Sequence, residues 1–231
     1  MRRVLIILLL IISLPGFGQD ENNAVYRHDT LLFNDFQMIV LPLVFYTPET
    51  QFGLGAGSQA FFRLRGNSPE SKPSNFFISA IYTTRNQFIF DFKPQLYFYD
   101  ERYFLDGALK FKIYPNFFWG IGNNTPDEAK EQYDMTSIEM KAAFLKKLPA
   151  LYFGFEYYYN NYIITALDSG GTLATGEVDG VPKAATTGIS FIFNIDKRDN
   201  NFVPRKGSFI RVDAGFSSKA MGASHSFNKY K

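Results

Sequence analysis

Four carboxylates cluster in one stretch of the chain, and clustered carboxylates are the residue type that binds divalent cations. They are Asp127, Glu128, Glu131 and Asp134. A calcium loop needs oxygen ligands at fixed alternate positions, whereas this spacing is irregular. We therefore interpret the segment as a solvated loop, and we expect no metal and no other cofactor.

Nucleophiles, bases and phosphate-binding loops give no better candidate. The chain has two histidines and no cysteine; His28 and His225 lie far apart, and no serine elbow accompanies either of them. Gly53, Gly55 and Gly57 resemble a nucleotide loop only superficially, because they lie in a strand pattern and no helix pattern follows. No convergent pair of acids can be placed. We expect a non-enzymatic protein.

The composition narrows the class of protein further. The 231 residues are 46% hydrophobic, 18% aromatic and 20% charged, with 26 Phe and 14 Tyr. Aromatic content this high excludes a disordered chain and favours strands. A mean hydropathy of −0.13 excludes a bundle of membrane-spanning helices. The absence of Cys excludes disulfide scaffolds and thiolate metal sites.

The N-terminus has the pattern of a secretory signal. Arg2 and Arg3 precede an apolar run at 4–14, and small residues follow. We predict a signal peptide at 1–18, a short periplasmic segment at 19–37 and a folded region at 38–231. Without Arg2 and Arg3 the formal charge falls from +2 to 0, so there is no electrostatic basis for a nucleic-acid partner.

Beyond residue 37 the chain alternates apolar and polar residues with the period of a strand. The clearest segments are 88–99 and 103–114. If Asp100 and Glu101 form a two-residue hairpin loop, Asp91 lies opposite Lys110, and apolar residues face one another on the other side. Cross-strand pairing rewards this arrangement. We therefore predict an Asp91–Lys110 ion pair.

A second hairpin follows the same logic. Residues 137–146 and 151–160 alternate, and pairing Lys146 with Leu151 places Lys141 opposite Glu156. We predict that both ion pairs, Asp91–Lys110 and Lys141–Glu156, have a structural role inside a barrel rather than a catalytic one.

The remaining strands complete the architecture. We predict them at 38–47, 52–64, 75–84, 189–196, 208–216 and from Phe227 onward. That makes about nine or ten strands of roughly 10 residues, the length that a tilted strand needs to cross a bilayer. Short turns alternate with longer loops, and the longest, 115–134 and 166–188, fall on one side. This asymmetry is typical of an outer-membrane barrel.

A soluble exported β-sandwich with a binding function shows the same alternation, with its apolar face buried. Three features favour the barrel. The polar faces carry bulky Tyr and paired charges, the apolar faces are continuous and aromatic, and a signal peptide accompanies a chain without Cys. The sandwich stays open as an alternative.

One segment also carries a family resemblance. After the strand at 189–195 the chain reads DKRDNNFVPRKGS, which resembles the strand–turn–strand signature of the BamA/TamA-like outer-membrane barrels, or bacterial surface antigen superfamily. The matching positions are Asp196, Arg198, Asp199, Asn200, Phe202, Pro204 and Gly207. Residues 41–57 are similar to the opening hairpin of small members of that family, and 118–125 resemble their aromatic-Gly-x-Gly-Asn loop.

The resemblance implies an all-β fold: an antiparallel transmembrane barrel in the outer membrane of a Gram-negative-type bacterium. The N-terminus is then periplasmic and the long loops lie outside. Family barrels have about sixteen strands, so we expect an N-terminal fragment, or closure with other chains, in a small form without periplasmic POTRA repeats.

The resemblance also implies a function: outer-membrane biogenesis, or the passage of protein or lipid across that membrane. The expected partners are outer-membrane lipid and other outer-membrane or periplasmic proteins. An alternative is a barrel that anchors or exports a separate enzyme, such as a patatin-like lipase.

Overall fold

The computed structural model describes residues 33–47, 50–149, 151–167, 170–175, 178–199 and 203–231. The predicted signal peptide at 1–18 lies outside the described residues, as does most of the predicted periplasmic segment. The first strand begins at Phe33 rather than at residue 38, so the end of that segment is already part of the sheet.

Ten strands form one antiparallel sheet in which each strand pairs with the next along the chain. The strands are β1 Phe33–Thr47, β2 Gln51–Leu64, β3 Ser74–Thr83, β4 Phe88–Phe98, β5 Tyr103–Phe118, β6 Glu131–Lys147, β7 Tyr152–Leu167, β8 Lys183–Asp196, β9 Phe209–Ser217 and β10 Phe227–Tyr230. Among the described residues, three short 3-10 helices lie in the connections, and no helix has the length and apolar character needed to cross a membrane. The predicted all-β, antiparallel fold is confirmed, and the sheet is open, with β1 and β10 at its edges.

The β4–β5 hairpin has the predicted register. Asp91 lies opposite Lys110, and Phe90 lies opposite Phe111. Asp100 and Glu101 form the turn between the strands, with φ of 54° and 64°. A two-residue turn that matches the twist of the strands requires a positive φ at both positions. The Asp91–Lys110 pairing is therefore confirmed, with Lys110 Nζ 3.4 Å from Asp91 Oδ1.

The register predicted for the next hairpin is wrong. Lys141 lies opposite Tyr158, and Glu156 lies opposite Ala143, because Lys146 pairs with Phe153. A shift by two positions keeps every side chain on the same face of the sheet, whereas a shift by one would not. Face alternation therefore cannot distinguish the two registers, and Lys141 and Glu156 do not pair.

The two long loops are shorter than predicted, because β5, β6, β7 and β8 extend into them. Pairing continues to Phe118 opposite Glu131, and to Ile163 opposite Lys183. Pro115, interpreted as the start of a loop, lies inside β5. The longest connection is now 168–182; the connections 119–130, at the same end of the sheet, and 197–208, at the opposite end, are equal in length.

The sheet curls toward the face that carries Asp91, which we call the inner face. Arg211 on β9 lies 3.4 Å from Asp106 on β5, although strands spaced at about 4.8 Å would separate β5 and β9 by roughly 19 Å in a flat sheet. Lys72, between β2 and β3, likewise lies 3.1 Å from Asp196 at the end of β8. Only a curved sheet allows both contacts.

The two faces differ in chemistry. The outer face carries large exposed apolar side chains such as Phe155 (53% exposed) and Phe191 (48% exposed). The inner face has a buried apolar cluster near the short turns, formed by Tyr97, Phe104, Ala143, Leu145, Tyr152 and Ile192. An apolar outside and a largely polar inside is the arrangement of a barrel in lipid rather than a sandwich in water.

The Asp91–Lys110 pair can be tested by charge reversal. We expect Asp91→Lys to lower the yield of folded protein, because it places three lysines together: Lys93 is also 3.4 Å from Asp91. Lys110→Asp in the same chain should recover part of the loss, with a coupling of about 0.5–3 kcal/mol. Heat-modifiable gel mobility of the single and double variants measures this. A double variant that folds no better than Asp91→Lys alone would contradict the pairing.

Candidate functional site

The turn between β8 and β9, which contains the family-like motif, is ordered by its own backbone and one carboxylate. Asp199 Oδ1 accepts hydrogen bonds from the N–H groups of Arg205 and Lys206, at 2.9 and 3.1 Å. Short polar side chains order turns in this way. Pro204 is exposed in the same turn, and the predicted motif residues Asn200 and Phe202 lie outside the described residues.

Gly207 is the position in this turn that only glycine fits. Its φ is +104°, and a Cβ added there would overlap the backbone carbonyl oxygen of Lys197. The left-handed conformation costs other residues about 1–2 kcal/mol. The overlap adds to this cost, because the neighbouring atom is backbone and cannot rotate away.

The first two charged residues of the motif reach well beyond the turn. Asp196 accepts hydrogen bonds from the Arg198 guanidinium at 2.8 Å and 3.0 Å, and from Lys72 Nζ at 3.1 Å. The Arg198 guanidinium also lies over the Phe209 ring, 4.5 Å from its centroid. The motif therefore joins the end of β8 to the β2–β3 connection on the far side of the inner face.

That connection is held in turn by the β4–β5 hairpin. Asn67 donates to the carbonyl oxygen of Tyr97 at 2.7 Å and accepts from the N–H of Asp100 at 2.9 Å. The N–H of Lys72 donates to Glu101 at 3.0 Å. The connection is thereby fixed across the buried cluster at this end of the sheet.

Glu101 links three of the short connections. Its carboxylate accepts from the N–H of Lys72, from Lys147 Nζ at 3.0 Å and from the Tyr152 hydroxyl at 3.0 Å. Burial raises the pKa of Glu101, but these three donors lower it by more, so its net pKa lies below the ordinary value. We call this set the turn-end cluster; its members are Asn67, Lys72, Asp100, Glu101, Lys147, Tyr152, Asp196 and Arg198.

A second charged group lies further along the inner face, around Arg211. This guanidinium contacts Asp213 at 3.0 Å, Glu156 at 3.2 Å and Asp106 at 3.4 Å. Glu156, predicted to pair with Lys141, thus pairs with Arg211 instead. Arg211 was not among the predicted site residues, although its alternation with Asp213 on one face of a predicted strand indicates a charged inner position.

Amide side chains extend this group across the sheet. Gln59 donates to Asn75 at 2.9 Å, Asn75 donates to Gln95 at 3.2 Å, and Gln95 donates to Asp106 at 3.3 Å. A chain of hydrogen bonds therefore runs from β2 through β3, β4 and β5 to β9 and β7. We call it the inner polar belt; its members are Gln59, Asn75, Gln95, Asp106, Glu156, Arg211 and Asp213.

Both groups consist of contacts within the fold. Each carboxylate in them is engaged by a cation or an amide rather than presented to a reacting atom. Among the described residues, no group of three or more His, Cys, Asp or Glu side chains is placed to hold a metal ion. What the groups do is hold strands that are distant in sequence at fixed positions on a curved sheet.

Comparison with known families agrees with this geometry. The Omp85 superfamily domain matches residues 54–231, which is more than half of the chain. The chain belongs to the Omp85 superfamily. This confirms the resemblance to the BamA/TamA-like barrels, and it places the chain, at a coarse level, in a family of outer-membrane biogenesis and translocation proteins. No curated relative and no solved structure matches the chain.

The turn of this Omp85 domain provides one prediction. We expect Gly207→Ala to destabilise the fold by more than about 1–2 kcal/mol, because it adds a backbone overlap to the cost of the left-handed conformation. Gly66→Ala is the matched control: Gly66 has φ +91° and nothing within 4 Å of an added Cβ. Chemical denaturation in detergent measures both. Equal losses in the two variants would contradict the role of the Lys197 carbonyl.

The turn-end cluster should also respond to pH. Because the pKa of Glu101 is lowered in the fold from the ordinary 4.5, its ion pairs stabilise the protein above that pH, and this contribution is lost as the pH falls through the folded value. We expect Glu101→Gln to lower the unfolding temperature at pH 7, and the difference from wild type to shrink in acid. Glu70→Gln, at an exposed position in the β2–β3 connection, is the control. A difference that is constant with pH would refute the linkage.

Proposed function

We propose that this protein is a non-enzymatic outer-membrane barrel that serves in outer-membrane biogenesis or in the passage of protein or lipid across that membrane. The observation that carries the proposal is the match of the Omp85 superfamily domain to residues 54–231, a span that includes nearly all of the curled ten-stranded sheet. Sequence membership and architecture thus agree over the same residues.

The chemistry of the two faces supports a position within the bilayer. Exposed side chains such as Phe155, Phe193 and Val212 alternate with inner-face groups along their strands. A polar inner face with paired charges suits a wet interior, and the backbone of every strand between the two edge strands is paired on both sides over most of its length. The partners we propose are outer-membrane lipid and other outer-membrane or periplasmic proteins.

We further propose an orientation, with the short turns in the periplasm and the long connections outside. The support is that the longest connection, 168–182, and the 119–130 connection lie at the end opposite to the start of β1, where the chain enters the sheet from the predicted periplasmic segment; long loops on the outside are usual in outer-membrane barrels. The turn-end cluster would then face the periplasm, and the 119–130 connection would face the exterior.

The absence of Cys makes this orientation directly testable. We expect Asn123→Cys, in the 119–130 connection, to react with a membrane-impermeant maleimide on intact cells. Glu70→Cys, in the β2–β3 connection, should react only after the cells are opened. Both variants should fractionate with the outer membrane and dissolve only with detergent. Extraction into plain buffer would contradict the barrel itself, and a reversed labelling pattern would contradict the orientation alone.

A further inference from the structure

Part of the inner face is apolar, which is unusual for the inside of an outer-membrane barrel. It lies on β1 and β3. We call it the apolar strip; its members are Ile39, Leu41, Leu43, Phe45, Phe77 and Ile81. Strand register places all six on the face that also carries Asp91.

β1 is apolar on both of its faces. Residues 36–47 carry no charge, and Leu41 on the inner face is as exposed as Val40 on the outer face, at 59% and 54%. One face suffices for contact with bilayer lipid. The apolar side chains on the other face are therefore available to a different apolar ligand.

Glycines on β2 make the strip continuous. Gly53, Gly55 and Gly57 lie opposite inner-face residues of β1 and β3. A Cβ on Gly53 would overlap the Phe45 ring, and one on Gly57 would lie 3.7 Å from both Leu43 and Phe77. The β1 side chains thus extend over the bare backbone of β2 toward those of β3.

Beside the strip, the inner face is basic. Lys93, Lys110, Lys112 and Lys141 lie on β4, β5 and β6, and we call them the lysine patch. Asp91 holds two of them at 3.4 Å, and Glu139 holds Lys112 at 3.3 Å. Four cations against two carboxylates give this patch a local charge of +2, whereas the neighbouring inner polar belt, with three carboxylates around Arg211, has a local charge of −2. Lys141 is exposed, and it forms no ion pair with another described residue.

The two surfaces are in direct contact. Phe77 lies opposite Lys93, and Lys93 Nζ is 5.6 Å from the centroid of the Phe77 ring. Ile81 lies opposite Ile89, which in turn lies opposite Lys112. From Ile39 to Phe45 the apolar strip is about 20 Å long, at roughly 3.3 Å per residue. It therefore lies beside the positively charged lysine patch.

We propose that this part of the inner face binds an anionic lipid, with acyl chains on the apolar strip and the charged headgroup on the lysine patch. The excess of cations selects a negative headgroup. An acyl chain fits the surface of the strip better than a peptide does, because the backbone groups of β2 are already paired with β1 and β3. Only the open edge of β1 could pair with a peptide backbone, and that edge lies beside the strip rather than on its surface. The inference rests on the proposed function and names lipid as its substrate class.

Alternate residues of β1 provide the test. A photo-crosslinking amino acid is placed at Leu41 on the inner face, or at Val40 on the outer face, of the full chain. Each variant is reconstituted in phosphatidylcholine vesicles that contain labelled phosphatidylglycerol. Val40 should capture lipid from the bilayer in every case, and this capture also confirms insertion. Leu41 should capture the labelled lipid from the inner face.

Charge variants on β6 separate the inner site from the bulk bilayer. We expect Lys141→Glu to reduce capture of phosphatidylglycerol at Leu41 by at least about fivefold, which is the effect of losing one basic charge near a lipid headgroup; the reversal adds a second unit of unfavourable charge. Capture at Val40 should not change. Lys146→Glu is the matched control, because Lys146 is exposed on the outer face of the same strand.

The outcomes separate this inference from the proposed function. If Val40 captures lipid but Leu41 captures only protein, or nothing, the lipid site is wrong and the barrel stands. Capture at Leu41 that ignores Lys141→Glu also overturns the headgroup site. If neither position captures lipid, the chain does not lie in the bilayer, and both the site and the proposed function fail.

Discussion

The curvature of the sheet depends on charged side chains that meet across its inner face. Arg211 contacts Asp106 and Glu156, which lie 105 and 55 residues away along the chain. A guanidinium has five donors in a rigid fork, so one side chain can engage carboxylates from three strands. Removing one partner of such a group leaves an uncompensated charge in a partly buried place, which is strongly unfavourable. These contacts fix the direction in which the sheet curls. The polar face of the sheet therefore lies inside and the apolar face lies outside.

The motif between β8 and β9 shows how a local signature can serve a long-range contact. Asp199 and Gly207 shape the turn itself, but Asp196 binds Lys72, 124 residues away. The turn-end cluster then continues through Glu101 to the β6–β7 hairpin. The connections in this network lie at the same end of the sheet as the buried aromatic cluster. That end therefore has an apolar interior, and ion pairs and hydrogen bonds join its connections to one another.

Strand period, hairpin turns and face assignment could be predicted from the sequence, because each depends on neighbours in the chain. Asp91 and Lys110 were placed correctly, since a two-residue turn leaves one register. The Lys141–Glu156 pairing was predicted wrongly. A four-residue loop permits two registers that differ by two positions, and both registers place each side chain on the same face of the sheet. The contacts of Arg211 and Lys72 depend on how far the sheet curls, and no local pattern encodes that curvature. The extension of β5 past Pro115 was hidden because proline usually ends a strand.

The unequal lengths of β4 and β5 have a consequence for where the bilayer ends. β4 begins at Phe88, opposite Ile113, while β5 continues to Phe118. The β4-facing edge of residues 114–118 therefore has no strand partner, and hydrocarbon does not tolerate unpaired backbone. The 11 residues of β4 span about 36 Å, or roughly 26 Å when tilted by about 45°, which is close to the thickness of the hydrocarbon layer. In the proposed orientation, the step between the two strands marks the outer water surface, and the β5–β6 hairpin would stand above it as a ridge on the cell exterior.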